Sequence, residues 1–195
     1  MTTALIACGA LAREVLALKE KYGWEAEVLG VPALLHFRPD KIPDAVRERI
    51  RQAREHYDRV VVVYGDCGTS GRLDALLAAE GVERLAGPHC FEMYASGRPG
   101  QFETIMDEQP GTFFLTDYLV QSFDHLVIEA LGLDRYPQLH DDYFGNYTRV
   151  IYLAQTEAPE LQARAQWAAD YLRLPLEVRR VGYGALETRL VNLMR

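Results

Sequence analysis

The chain has 195 residues, 49% of them hydrophobic and 25% charged, the proportions of an ordinary globular protein with a full core. Its 28 acidic and 21 basic side chains leave a formal net charge of −7, which argues against nucleic-acid binding through bulk electrostatics. No apolar run approaches the roughly 20 residues needed to span a bilayer, and "MTTALIACGA" lacks a basic leader, so a cytoplasmic protein with neither membrane nor nucleic acid as partner is expected.

In chain order, "TALIAC" is a short apolar run stopped by Gly9 and reads as a buried strand. "ALAREVLALKEKYG" places Leu11, Val15 and Leu18 at helical spacing. "AEVLGV" reads as a second strand, and the segment from about Pro43 to Tyr57 as a charged amphipathic helix opened by proline. The basic cluster within it, "RERIRQAREHYDR", is interleaved with acidic residues, the mark of a solvated helix face. "RVVVVYG" is the third strand, "SGRLDALLAAEG" a short helix with a serine-type cap, and "VERLAG" a fourth strand.

From Cys90 to about Thr148 the pattern is less regular. "FETIMDEQ" and "TDYLVQSFDHLVIEALGL" look helical, "GTFFLT" fits a short strand, and "DRYPQLHDDYFGNY" is an aromatic-rich connection. Regularity returns with the strand "RVIYLAQT", the helix "APELQARAQWAADYLR", the strand "LEVRRVG" and the helix "ALETRLVNLM". Alternating strands and helices imply right-handed crossovers and a mostly parallel sheet covered on both faces. The expectation is one doubly wound, Rossmann-like α/β domain over residues 1–195, with residues 91–148 as a helical insertion. Ligands of such folds sit outside the carboxyl ends of the strands.

All three cysteines fall at that edge: Cys8 ends the first strand, Cys67 follows the third, and Cys90 follows the fourth. A lone cysteine is usually a small buried hydrophobe, but three at equivalent strand ends point to one shared thiolate site. Three thiolates suit zinc, the first choice, or an open-sited iron–sulfur cluster, and either leaves a coordination position free. His89, beside Cys90, is a candidate fourth metal ligand, and His36 could equally be that ligand or a group that orients one. His36, past the second strand, is a candidate proton carrier, and Arg98 a candidate anchor for an acidic group on a small-molecule substrate. Gly65 and Gly68 are candidates for holding a cofactor or ligand where "GDCGTSG" runs into a helix, and Ser96 is a further candidate beside Arg98 in "EMYASGRPG", after the Cys90 segment. His125 and His140, with Asp141 and Asp142, read as surface or insertion residues. Three function classes stay open: a metal-dependent transferase acting on a thiol or acidic substrate, a metal-free binder of small anions, and an accessory protein using the aromatic-rich connection as a partner surface.

The segments "LIACGAL", "LLH" around His36, "YGDCG", "PHC" followed by "YASG", and "LPLEV" resemble the bacterial and archaeal family called Domain of Unknown Function 1638. The chain departs from the pattern at Asp66, where an apolar residue is expected, and at His89–Cys90, adjacent where an intervening aspartate is expected. The resemblance implies an anaerobe's protein near corrinoid-dependent methyltransferase genes. That suggests one-carbon (methyl-group) or thiol chemistry and a corrinoid or methyltransferase partner protein.

Overall fold

Thr3–Cys8 (β1) is buried almost throughout, as a run of mostly apolar residues must be when helices cover both faces of a sheet. The computed structural model describes residues 2–95 and 101–195. Parallel to β1 lie Ala26–Val31 (β2) on one side and Arg59–Val63 (β3) on the other. Glu83–Arg84 (β4) pairs with the outer side of β3, giving the order β2-β1-β3-β4. The helices are Ala12–Tyr22 (α1), Ile42–Arg54 (α2) and Arg72–Glu80 (α3). These elements, with Ala185–Arg195 from the chain end, form the first of two compact units. The helix α2 buries Ile42, Val46, Ile50 and Ala53 and turns its basic and acidic residues outward, as the sequence pattern requires. Each large aliphatic residue so buried contributes roughly 1.5–3 kcal/mol.

The second unit, Tyr94–Gly184, has its own sheet of Thr112–Thr116 (β5), Arg149–Ala154 (β6) and Leu176–Arg180 (β7), all parallel. The α/β class and the parallel pairing therefore stand, but the strands divide between two sheets of four and three strands. "GTFFLT" is the edge strand β5 of the second sheet. The short helices Cys90–Ala95 (α4) and Gln101–Glu108 (α5) precede it.

The long helix expected after β5 is broken. Asp117–Gln121 (α6) is capped by Thr116, whose Oγ1 accepts from the Leu119 N–H at 3.3 Å, and a π-helical turn follows at Asp124–Glu129. At the break a side chain from Pro159–Leu172 (α8) enters: Arg164 Nε donates to the Val120 carbonyl at 3.1 Å, the kind of insertion that interrupts a helical ladder. The aromatic-rich connection contains His140–Phe144 (α7), and its Phe144 is a core residue packed edge-on to Phe113. Its Tyr136 and Tyr143 stay exposed. Gly184–Leu193 (α9) closes the order of elements.

Candidate functional site

The strand order explains why the thiols gather. β1, β3 and β4 are neighbours in the first sheet, so Cys8 at the end of β1, Cys67 in the turn after β3 and Cys90 at the start of α4 all reach its carboxyl edge. Two backbone bonds then fasten the last two loops together. The Asp66 N–H donates to the Gly87 carbonyl at 3.2 Å, and the Cys67 N–H to the Pro88 carbonyl at 2.8 Å. This approach needs a glycine at 65. A Cβ there would stand 2.7 Å from the His89 Cα and 3.0 Å from its nitrogen. Gly68 serves the same turn with φ +83°, after a Cys67 held at φ +47°, a left-handed conformation rare for a residue with a side chain.

The three half-buried thiols and the buried Tyr64 lie within one another's electrostatic reach. Burial raises the Cys8 pKa, against hydrogen bonds from the Ala10 backbone and the Tyr64 hydroxyl. Cys67 is pushed up to about 12 by burial and then by the charges of Cys8 and Asp66; Arg84 and the Cys90 N–H work the other way. Cys90 is raised by burial and by the other two cysteines, and Tyr64 by burial and by all three. Each thiol is thus protonated near neutrality, and each ionisation makes the next harder. Among the described residues, no group of three or more His, Cys, Asp or Glu side chains is spaced to hold a metal ion. The soft donors are gathered but not closed into a coordination set.

The turn "GDCGTSG" carries its own anion. The Asp66 carboxylate accepts from Thr69 Oγ1 at 2.5 Å and from the N–H groups of Ser70 and Gly71 at 3.1 and 3.0 Å. Burial opposes its ionisation, but these bonds and the nearby Arg84 outweigh that and hold its pKa below the ordinary carboxylate value. The donors that a bound anion would need are therefore spent within the chain. This also corrects the expected serine cap. α3 has Gly71 at its N-cap, and the Leu73 N–H turns to Thr69 Oγ1 at 3.4 Å.

The two histidines differ in what they do. His89 Nδ1 accepts from the Glu92 N–H at 3.3 Å, so this ring nitrogen is engaged in capping α4. His36 sits in a 3-10 turn after β2, its ring edge-on to Phe37 at 6.1 Å. Its pKa is lowered by burial, with no contribution from the thiols. Ser96 and Arg98 lie outside the described residues.

Sequence reasoning overlooked Tyr64 and Arg84. A tyrosine closing the run "VVVV" is a polar handle on a buried strand end, and that was the available signal. Arg84 bonds the carbonyls of Tyr64, Leu85 and Gly87 at 3.3, 2.9 and 3.1 Å and pairs through Nε and Nη2 with Asp74 at 2.5 and 2.9 Å. It ties the end of β3 to the segment leading to Cys90. On the far side of that segment, Arg189 holds Glu92 by two bonds of 2.7 Å and the Ala86 carbonyl by one of 2.6 Å.

Comparison with protein families matches residues 31–190 to a protein of unknown function, DUF1638. The matched span contains His36, Cys67 and Cys90, and Cys8 precedes it. No curated protein and no solved structure matches the chain.

Proposed function

For this chain, which belongs to the DUF1638 family, we propose that the carboxyl edge of the first sheet is a soft-metal site with Cys8, Cys67 and Cys90 as its ligands. The observation that carries the reading is the gathering of every cysteine around Tyr64, each in the field of the others. Burial and mutual repulsion keep such thiols protonated. A divalent cation or an iron–sulfur cluster is the chemistry that reverses this, since metal displaces the protons and neutralises the thiolates together. Zinc is the first choice and an iron–sulfur cluster the second. A zinc ion held by three thiolates supplies Lewis acidity toward a further sulfur ligand, which suits thiol or methyl-group chemistry. His36, in the 3-10 turn that follows the adjacent strand, is the side chain to test as a proton carrier.

The test is metal analysis of the full chain purified with and without oxygen. About one zinc per chain, or a brown iron-containing protein from the anaerobic preparation, is expected. Cys8→Ser, Cys67→Ser and Cys90→Ser should each lose the metal, and His36→Ala should keep it. Because each ligating thiol releases a proton, apparent affinity should rise up to about tenfold per pH unit for each of them below its pKa. Intact thiols with no metal under either condition would overturn the reading.

A further inference from the structure

We propose that β7 is a self-pairing edge, through which two copies of the chain join their second sheets in antiparallel fashion about a twofold axis. The argument begins with backbone direction. The Val150 N–H donates to the Pro175 carbonyl, and the Val181 N–H to the Ala154 carbonyl. Polar groups alternate sides along a strand, so residues 175, 177, 179 and 181 face β6, and Leu176, Val178 and Arg180 present theirs outward. Among the described residues, no strand pairs with that side.

Both outer edges of the first sheet are blunted. In β2 the outward carbonyl of Gly30 accepts from Arg49 Nε at 3.1 Å, and β4 is only two residues long. β7 has five residues and an exposed valine at its centre.

Its charges select both the occupant and the register. An antiparallel pair must set outward residues opposite outward residues, which leaves few alignments near the strand centre. Pairing 177 with 177 opposes two glutamates, and pairing 179 with 179 opposes two arginines; both are unfavourable. Pairing Val178 with Val178 of a second copy sets Glu177 opposite Arg179 twice over and places two half-exposed valines in contact. Within the chain Arg179 already reaches Glu177 at 2.6 Å, so the same two groups are oriented to exchange partners across the axis. Leu176 and Val178 share a groove with Pro159 and Ala163 of α8, so the valine contact continues an apolar strip. A strand that complements itself in this way points to a second copy of this chain.

Light scattering after size exclusion, with sedimentation analysis across the micromolar range, tests this on the full chain. A dimer of the 22.1 kDa chain is expected. Glu177→Arg and Arg179→Glu should each weaken it at least tenfold. The double variant carrying both, which keeps the complementarity with the signs exchanged, should restore it. Circular dichroism verifies that each variant is folded, and amide exchange should find Val178 protected only in the dimer. A wild-type monomer throughout the range overturns the proposal, and so does a dimer that both single charge variants leave unchanged.

Discussion

The two sheets end alike and yet differently. At the carboxyl edge of the second, Tyr152 donates its hydroxyl to Asp117 Oδ1 at 2.7 Å; at that of the first, Tyr64 bonds Cys8. Around Asp117 every acceptor is used. Oδ1 also takes the Gln155 N–H at 3.0 Å, and Oδ2 takes the N–H and hydroxyl of Thr156 at 3.0 and 2.5 Å. The Asp117 N–H in turn donates to Gln155 Oε1 at 2.6 Å. This network closes an edge. Around the thiols, burial and like charges dominate over the few donors, so the groups stay neutral until something positive arrives. Position at a strand end therefore does not make a site; the balance of donors around the acidic group does.

Asp117→Ala is the most severe way to break the contrast. It leaves several buried donors without their acceptor and should cost about 3 kcal/mol or more in urea unfolding. Alkylation rates of the three thiols, read in the native baseline, should stay as in the wild type. A loss below about 1 kcal/mol would mean that the network is not what closes this edge.

Gly65→Ala attacks the other edge through packing. Its methyl group meets the His89 backbone, so the segment from Pro88 to Cys90 must move, at about 1–3 kcal/mol. Cys90 should then react faster with iodoacetamide than in the wild type, while Cys8 changes less. Unchanged stability and unchanged Cys90 reactivity would show that the two loops are not held together at Gly65.

A matched pair sharpens the comparison further. Tyr152→Phe removes a bond to a carboxylate and should cost about 1.5–3 kcal/mol, whereas Tyr64→Phe removes a bond to a thiol and should cost about 1 kcal/mol or less. Equal losses in parallel unfolding curves would erase the distinction.

The mildest effect is a pH slope. Cys67 has a folded pKa near 12 against an ordinary value of 9.0. Its contribution to stability is thus whole below about pH 9 and declines as the pH rises toward 12, because the unfolded chain loses the proton first. In metal-free protein, unfolding free energy should fall across this window, and less steeply for Cys67→Ser. A wild-type slope matched by the variant would mean that Cys67 is not the group responsible.

Local pattern made much of this legible. The apolar runs of β1 and β3, the helical spacing of α2 and the turn residues after each strand are short-range signals, and the elements formed where they pointed. The cysteines could be assigned to strand ends for the same reason, since parallel strands share a direction. Strand order, by contrast, depends on which runs meet in space. Nothing local in "GTFFLT" said that it would begin a second sheet with "RVIYLAQT", or that "VERLAG" would keep only two paired residues.

The same limit governed the site. Sequence by itself determined an α/β protein with its three thiols at carboxyl ends, because periodicity and turn chemistry act over a few residues. Only the tertiary structure decided that Asp66 would fill the donors of its own turn, that Arg84 would bind carbonyls from two loops, and that Tyr64 would face Cys8. It also decided that Asp117 would find Tyr152, Gln155 and Thr156, residues 35–39 positions away. Those outcomes rest on register and on which side chains reach across a sheet edge, and no window of neighbouring residues carries that information.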